Sequence, residues 1–215
     1  MAGVRIRPVT PAALVAELAD QIAACRPAER LRVAVDGPPA ADPDTLAESL
    51  VDPLRVRGRA ALHVPTVGFL RPASVRLEHG RTNPDAFYDG WLDEAGLRRE
   101  VLDPLVPGGS GRVLPALWDA GRDRATRAAY LPVPPRGVVL VSGALLLGGV
   151  LTFDLTVHLA LSPPALARRT APEQRWTLPA FARYAAEVAP QALADIVVRV
   201  DDPRRPALVE PDLVP

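Results

Sequence analysis

The stretch Leu31-Arg32-Val33-Ala34-Val35 constrains this chain most, because it runs abruptly into Asp36-Gly37-Pro38-Pro39 and then, within a few residues, into a helix. A short aliphatic, β-branched run cut off by Gly and Pro reads as a strand. Asp42 is a good N-cap, Pro43 a favoured first helical residue and Asp44 a first-turn acid, so a helix is predicted over 43–56, with Gly58 closing it. This β–α unit has successors along the chain. Segments 60–64, 137–141, 153–161 and 196–200 read as strands, and 92–102, 165–169 and 178–189 as helices. Strands separated by helices predict an α/β fold with a mostly parallel central sheet and helices on both faces.

Outside this frame, Thr10 caps a helix over 11–24 whose Leu14, Val15, Leu18 and Ile22 share one apolar face. The segment 65–90 is rich in turn residues and reads as a long functional-type loop with helical pieces. A strand is predicted over 113–118 and a turn over 119–126. We read residues 1–215 as a single domain, with an N-terminal helix in 1–30, a core over 31–200 and a Pro-rich tail over 201–215. The 25 basic residues balance 25 acidic ones, so no net field favours nucleic acid or an anionic membrane. The most apolar stretch, 138–151, contains Ser142 and three glycines and is shorter than the ~20 residues a spanning helix needs. No secretory signal pattern opens the chain, and a cytoplasmic location is expected. Cys25 stands alone, which excludes an intramolecular disulfide and a cysteine-based metal cluster.

A strand, a glycine and a helix start are also the setting of a P-loop, Gly-x-x-x-x-Gly-Lys-Ser/Thr. Aligned from Gly37, the second glycine is Asp42, the lysine Pro43 and the hydroxyl residue Asp44; Thr45 lies one place too late. Pro38, Pro39 and Pro43 have no N–H to offer a phosphate, and two aspartates bring negative charge to the helix start. Lysine is absent from the whole chain, all 25 basic residues being arginine, and a guanidinium is a poor substitute for an ammonium. Asp36, Asp42 and Asp44 are weak candidates for a divalent cation, with capping accounting for two of them. His63, His79 and His158 are not spaced as metal ligands.

Further motifs follow in order. Val67-Gly68-Phe69-Leu70-Arg71-Pro72 resembles the Asp-Gly-Phe-His-Arg-Pro motif of actinobacterial uridine kinase-like proteins, and Asn83-Pro84-Asp85-Ala86-Phe87-Tyr88 the segment after it. Leu102-Asp103-Pro104-Leu105, Gly109-Ser110-Gly111-Arg112 and Leu117-Trp118-Asp119 match the helix end, turn and hairpin that come next. Val138-Val139-Leu140-Val141-Ser142-Gly143 stands where the second acidic motif belongs, and Arg168 and Arg169 where lid arginines sit. From 31 to 200 the chain thus resembles the uridine kinase family, which implies a P-loop NTPase-like three-layer fold with a small lid. The family uses ATP or GTP and Mg²⁺ to phosphorylate uridine or cytidine.

Against that pattern, Val67 replaces the expected aspartate, Leu70 the histidine and Ser142 the second carboxylate. With Pro43 and Asp44, every main electrostatic component of phosphoryl transfer is replaced, so no catalytic residue is assigned and no cofactor is expected. Gly37, Asp42 and Thr45 mark the altered phosphate loop. Phe69, Arg71, Arg76, Arg81, Phe87, Tyr88 and Arg112 are the candidates for holding a nucleoside-like small molecule. The leading expectation is a binding, regulatory or scaffold protein with a small molecule or a protein as partner, and a homo-oligomer is plausible by resemblance. Two alternatives stand beside it. One is an active kinase with a non-standard phosphate site, using lid arginines; the other is an enzyme of another class that reuses the cleft with Asp36, Asp42 or Asp44.

Overall fold

The computed structural model describes residues 4–26 and 28–211. The chain runs through β1 (Val4–Pro8), α1 (Pro11–Ala24), β2 (Leu31–Asp36), α2 (Pro43–Val56) and β3 (Ala61–Pro65). Short helices α3 (Ala73–Arg76), α4 (Pro84–Gly90) and α5 (Glu94–Leu97) follow. Next come four two-residue strands: β4 (Arg112–Val113), β5 (Trp118–Asp119), β6 (Arg124–Ala125) and β7 (Leu131–Pro132). The remainder is β8 (Val138–Gly143), β9 (Leu155–Ala160), α6 (Pro163–Arg169), α7 (Leu178–Glu187), α8 (Pro190–Leu193), β10 (Ile196–Arg199) and β11 (Ala207–Pro211).

The main sheet has seven strands in the order β1-β11-β10-β9-β2-β8-β3. From β3 to β10 neighbours are parallel, and β11 and β1 add an antiparallel edge. β2 and β8 lie inside this sheet and are covered on both faces, which is why both read as nearly unbroken apolar runs. Their side chains alternate between two cores. Leu31, Val33, Val35, Val138 and Leu140 pack with α1 and α2, while Ala34, Val139 and Val141 pack with Phe69, Leu97, Val101 and Leu102.

Three expectations change here. The N-terminal region is a strand as well as a helix, and the Pro-rich tail supplies β11; residues 212–215 lie outside the described residues. Each of these strands is short and near an edge, so neither shows a long apolar run. The strand expected over 113–118 is instead two fragments: Val113 pairs with Leu131 and Trp118 with Ala125. Pro115 between them has no N–H to continue a ladder.

Two charged side chains tie the connections together. Arg59, 1% exposed, donates to the carbonyls of Ala23 (3.0 Å), Cys25 (3.2 Å), Glu29 (3.1 Å) and Arg136. Two of these acceptors are orphan carbonyls at the end of α1, which a helix leaves unsatisfied. Burial, and secondarily the charge of Arg136, lowers the pKa of this guanidinium.

Asp154 accepts from the Arg32 peptide N–H (2.9 Å), Nε (2.9 Å) and Nη2 (2.8 Å), and from Arg26 Nη1 (2.9 Å). Burial alone would raise this carboxyl, but the Arg32 bonds and the nearby charges outweigh it and hold it below the usual carboxylate range. Asp154→Asn is therefore expected to cost about 2 kcal/mol at neutral pH, read from urea midpoints. Because the folded pKa is depressed, this contribution is complete above the unfolded value of about 4 and is lost as pH falls through the folded value. The gap between wild type and variant should stay constant from pH 7 to about pH 5 and close in stronger acid.

Candidate functional site

The C-terminal ends of β2, β3 and β8 meet the start of α2 and the segment carrying α4 around a cleft of about 350 Å³. In an open parallel sheet this carboxyl edge is where ligands bind. The floor is Gly37, Pro39, Asp42, Pro43, Asp44 and Gly143; Thr66, Val67, Leu70 and Arg71 form one wall, and Phe87, Tyr88, Trp91 and Glu94 another.

The loop after β2 is closed on itself. The Gly37 N–H donates to the Gly143 carbonyl (3.0 Å), that of Ala41 to Pro38 (2.7 Å) and that of Asp42 to Pro39 (3.0 Å). Pro38, Pro39 and Pro43 have none. Asp42 holds a left-handed backbone (φ 60°, ψ 55°) and its side chain accepts from the Thr45 N–H (3.4 Å), capping α2. That conformation suits glycine far better than aspartate.

At the head of α2, Asp44 accepts a hydrogen bond from the Ser142 hydroxyl at the end of β8. His63 Nε2 lies 2.7 Å from the same oxygen, and His63 Nδ1 2.9 Å from a carboxylate oxygen of Glu48. Both ring nitrogens of His63 thus lie within hydrogen-bond distance of an oxygen, one on a strand and one on a helix. Ser142 has the neighbours of a nucleophilic serine, yet it is 0% exposed and its hydroxyl is committed. The chain Glu48–His63–Ser142–Asp44 clamps α2, β3 and β8 beneath the cleft.

Asp36 is also fully buried. Its Oδ1 accepts from the Leu146 N–H (2.9 Å), and its Oδ2 from His158 Nδ1 (2.7 Å) and the Tyr184 hydroxyl (3.1 Å). The Tyr184 oxygen accepts in turn from the Leu147 N–H (2.9 Å). Burial and then the Asp36 charge push the Tyr184 phenol well above its ordinary pKa. Asp36 and Asp44 face different partners, and among the described residues no three His, Cys, Asp or Glu side chains converge as metal ligands.

Of the residues singled out in the sequence, Gly37, Asp42, Pro43, Asp44, Val67, Arg71, Phe87 and Tyr88 come together at the cleft, with Ser142 just beneath. The others stand elsewhere. Phe69 is buried in the core below, and Thr45 is on the outer side of α2. Arg76 is buried, bonds the Arg71 carbonyl (2.6 Å) and lies 5.2 Å from the Trp91 ring centroid. Arg169 donates to the Val200 carbonyl, while Arg168, Arg81 and Arg112 are exposed; none of these four lines the cleft. The Phe87 ring is edge-packed against Trp91, Trp176 and Phe181, and Arg183 lies over Tyr88 at 4.1 Å from its centroid.

Sequence reasoning missed Asp89 and Glu94 in the cleft lining and the part played by Glu48 and His63. Glu48 follows Asp44 by four places on one helix, so both face the same way; that spacing was the available signal. The cleft lining carries Asp42, Asp44, Asp89 and Glu94 and the guanidinium of Arg71, and Asp89 is paired with Arg183 at 2.9 Å.

No protein-family model and no curated protein matches the chain. Solved structures do. A possible uridine kinase from Bacillus stearothermophilus aligns over 85% of this chain and 96% of its own, with TM-score 0.68 and 20% identity. A provisionally named fructose transport system kinase from Silicibacter sp. TM1040 aligns over 79% of this chain and 87% of its own, with TM-score 0.59 and 26% identity. D-glycerate 3-kinase from Cryptococcus neoformans var. grubii aligns over 81% and 80%, with TM-score 0.50 and 15% identity. Among the described residues no helix is long and apolar enough to cross a membrane. Sheet order, cleft position and these neighbours together give the chain the fold of the P-loop kinases.

Proposed function

We propose that this chain is a uridine kinase-like protein that has lost nucleotide-dependent phosphoryl transfer and acts by binding a small molecule in its cleft, in a regulatory or scaffold role. The carrying observation is the loop after β2. Over Gly37–Pro43, three residues have no N–H, and three more spend theirs inside the fold. A P-loop works by turning those hydrogens toward phosphate.

The pair behind the loop supports the same reading. In P-loop proteins Mg²⁺ is held by a hydroxyl at the helix start and a carboxylate on a neighbouring strand. Here the carboxylate, Asp44, is at the helix start and the hydroxyl, Ser142, is at the strand end, and the two are bonded to each other. The residues present do not fit Mg–ATP. Charge neutralisation is most of what such an enzyme contributes to phosphoryl transfer, and the cleft is acidic.

Isothermal titration tests this. Mg–ATP and Mg–GTP should give no binding heat up to millimolar concentration, whereas uridine or cytidine is the first small molecule to try in the same cell. Micromolar ATP affinity with transfer to a nucleoside would overturn the proposal.

A further inference from the structure

A second cavity, of about 250 Å³, lies on the other side of the loop after β2, walled by Pro38, Leu159, Leu161, Leu166, Phe181 and the exposed Ala185. Its lining is largely apolar, and His158 stands in its wall with only 7% of its side chain exposed. The ring is oriented from behind. Asp36 already holds two donors, the Leu146 N–H and the Tyr184 hydroxyl, and as a carboxylate it only accepts, so Nδ1 of His158 carries the hydrogen of their 2.7 Å bond. Tyr184 also lines the cavity, but its hydroxyl donates to Asp36 and accepts from Leu147. Nε2 of His158 has no partner among the described residues, yet it is not among the buried polar atoms left unpaired. In the neutral ring Nε2 is then an acceptor, and it opens on a largely apolar space in which Gln191 is the one other polar side chain besides Tyr184.

We propose that this cavity binds a neutral, apolar molecule carrying one hydroxyl donor, of which phenol is the simplest example, with the hydroxyl bonded to His158 Nε2. Charged alternatives lose on energetics. Stripping water from a carboxylate or an ammonium costs more than one hydrogen bond returns, and no Arg or Asp/Glu side chain lines the cavity to offset it. A phenolic hydroxyl is desolvated at far smaller cost and meets a pre-oriented acceptor. The site is separate from the kinase-like cleft and stands whether or not that cleft binds a nucleoside.

The test uses the full chain labelled with ¹⁵N. Phenol, anisole, benzoate and benzylammonium are titrated, and imidazole nitrogens are followed by long-range ¹H–¹⁵N correlation. Phenol should bind about tenfold more tightly than anisole, which has the same ring and no donor. Benzoate and benzylammonium should bind more weakly than phenol. The His158 Nε2 resonance should move with phenol, while those of His63 and His79, outside the cavity, stay put. In His158→Leu the preference for phenol over anisole should vanish; should that variant not fold, the wild-type nitrogen shift decides. Equal affinities for phenol and anisole, tighter binding of a charged probe, a stationary Nε2 resonance at saturation, or no phenol binding at all would each overturn the proposal.

Discussion

Arg59→Leu is expected to lower the stability of this protein by about 3–5 kcal/mol, measured from urea or thermal unfolding of the purified chain. The side chain is almost fully buried and serves four backbone carbonyls drawn from the end of α1, the connection after it and the turn before β8. Leucine fills much of the volume but leaves those acceptors without donors in a place water reaches poorly. Domains are stable by only about 5–15 kcal/mol, so this loss is a large fraction of the whole. Arg59→Lys should recover little, because one ammonium cannot follow a planar fork to acceptors spread around it. If lysine restores wild-type stability, the fork geometry is not what matters.

The second large effect is expected at Asp36. Asp36→Asn preserves shape and creates no cavity, so its cost is polar. Whichever way the amide turns, its NH₂ faces a donor: either the Leu146 N–H, or His158 with Tyr184. The expected loss is about 2–4 kcal/mol. Tyr184→Phe removes one donor and leaves the Leu147 N–H without its acceptor, and should cost about 1–2 kcal/mol. A double variant whose loss is smaller than the sum of the two would show that they belong to one network; strict additivity would show independent bonds.

What the sequence disclosed follows from where each residue sits. β2, β8, β9 and β10 were legible because strands packed inside a sheet must be apolar, and glycines mark both ends of β8 and the end of β2. The start of α2 was legible because Asp42 and Pro43 are local signals that need no tertiary knowledge. β1 and β11 were not, since their reason for being strands is mostly each other. Among site residues, Asp44 and Tyr88 were placed by motif order alone. The arginines divided differently: a guanidinium on a long stem takes whichever acceptor the fold brings near, and for Arg76 and Arg169 that was a backbone carbonyl. The line from Glu48 through His63 and Ser142 to Asp44 depends on the relative register of a helix and two strands, which no local pattern encodes.

The edge formed by β1 and β11 bears on how the protein is made. Ile6 lies opposite Val209 and Pro8 opposite Ala207, and Arg7 reaches Glu210 across 203 positions of chain. Synthesis delivers β1 about 200 residues before its partner, at about 5–20 residues per second. The parallel strands can assemble while translation continues, but β1 must wait with its hydrogen-bonding groups unpaired. Arg5, Arg7 and Pro8 make that edge a poor template for a neighbour's strand. A ribosome stalled short of Ala207 holds a chain in which β1 lacks the one strand that it pairs with among the described residues.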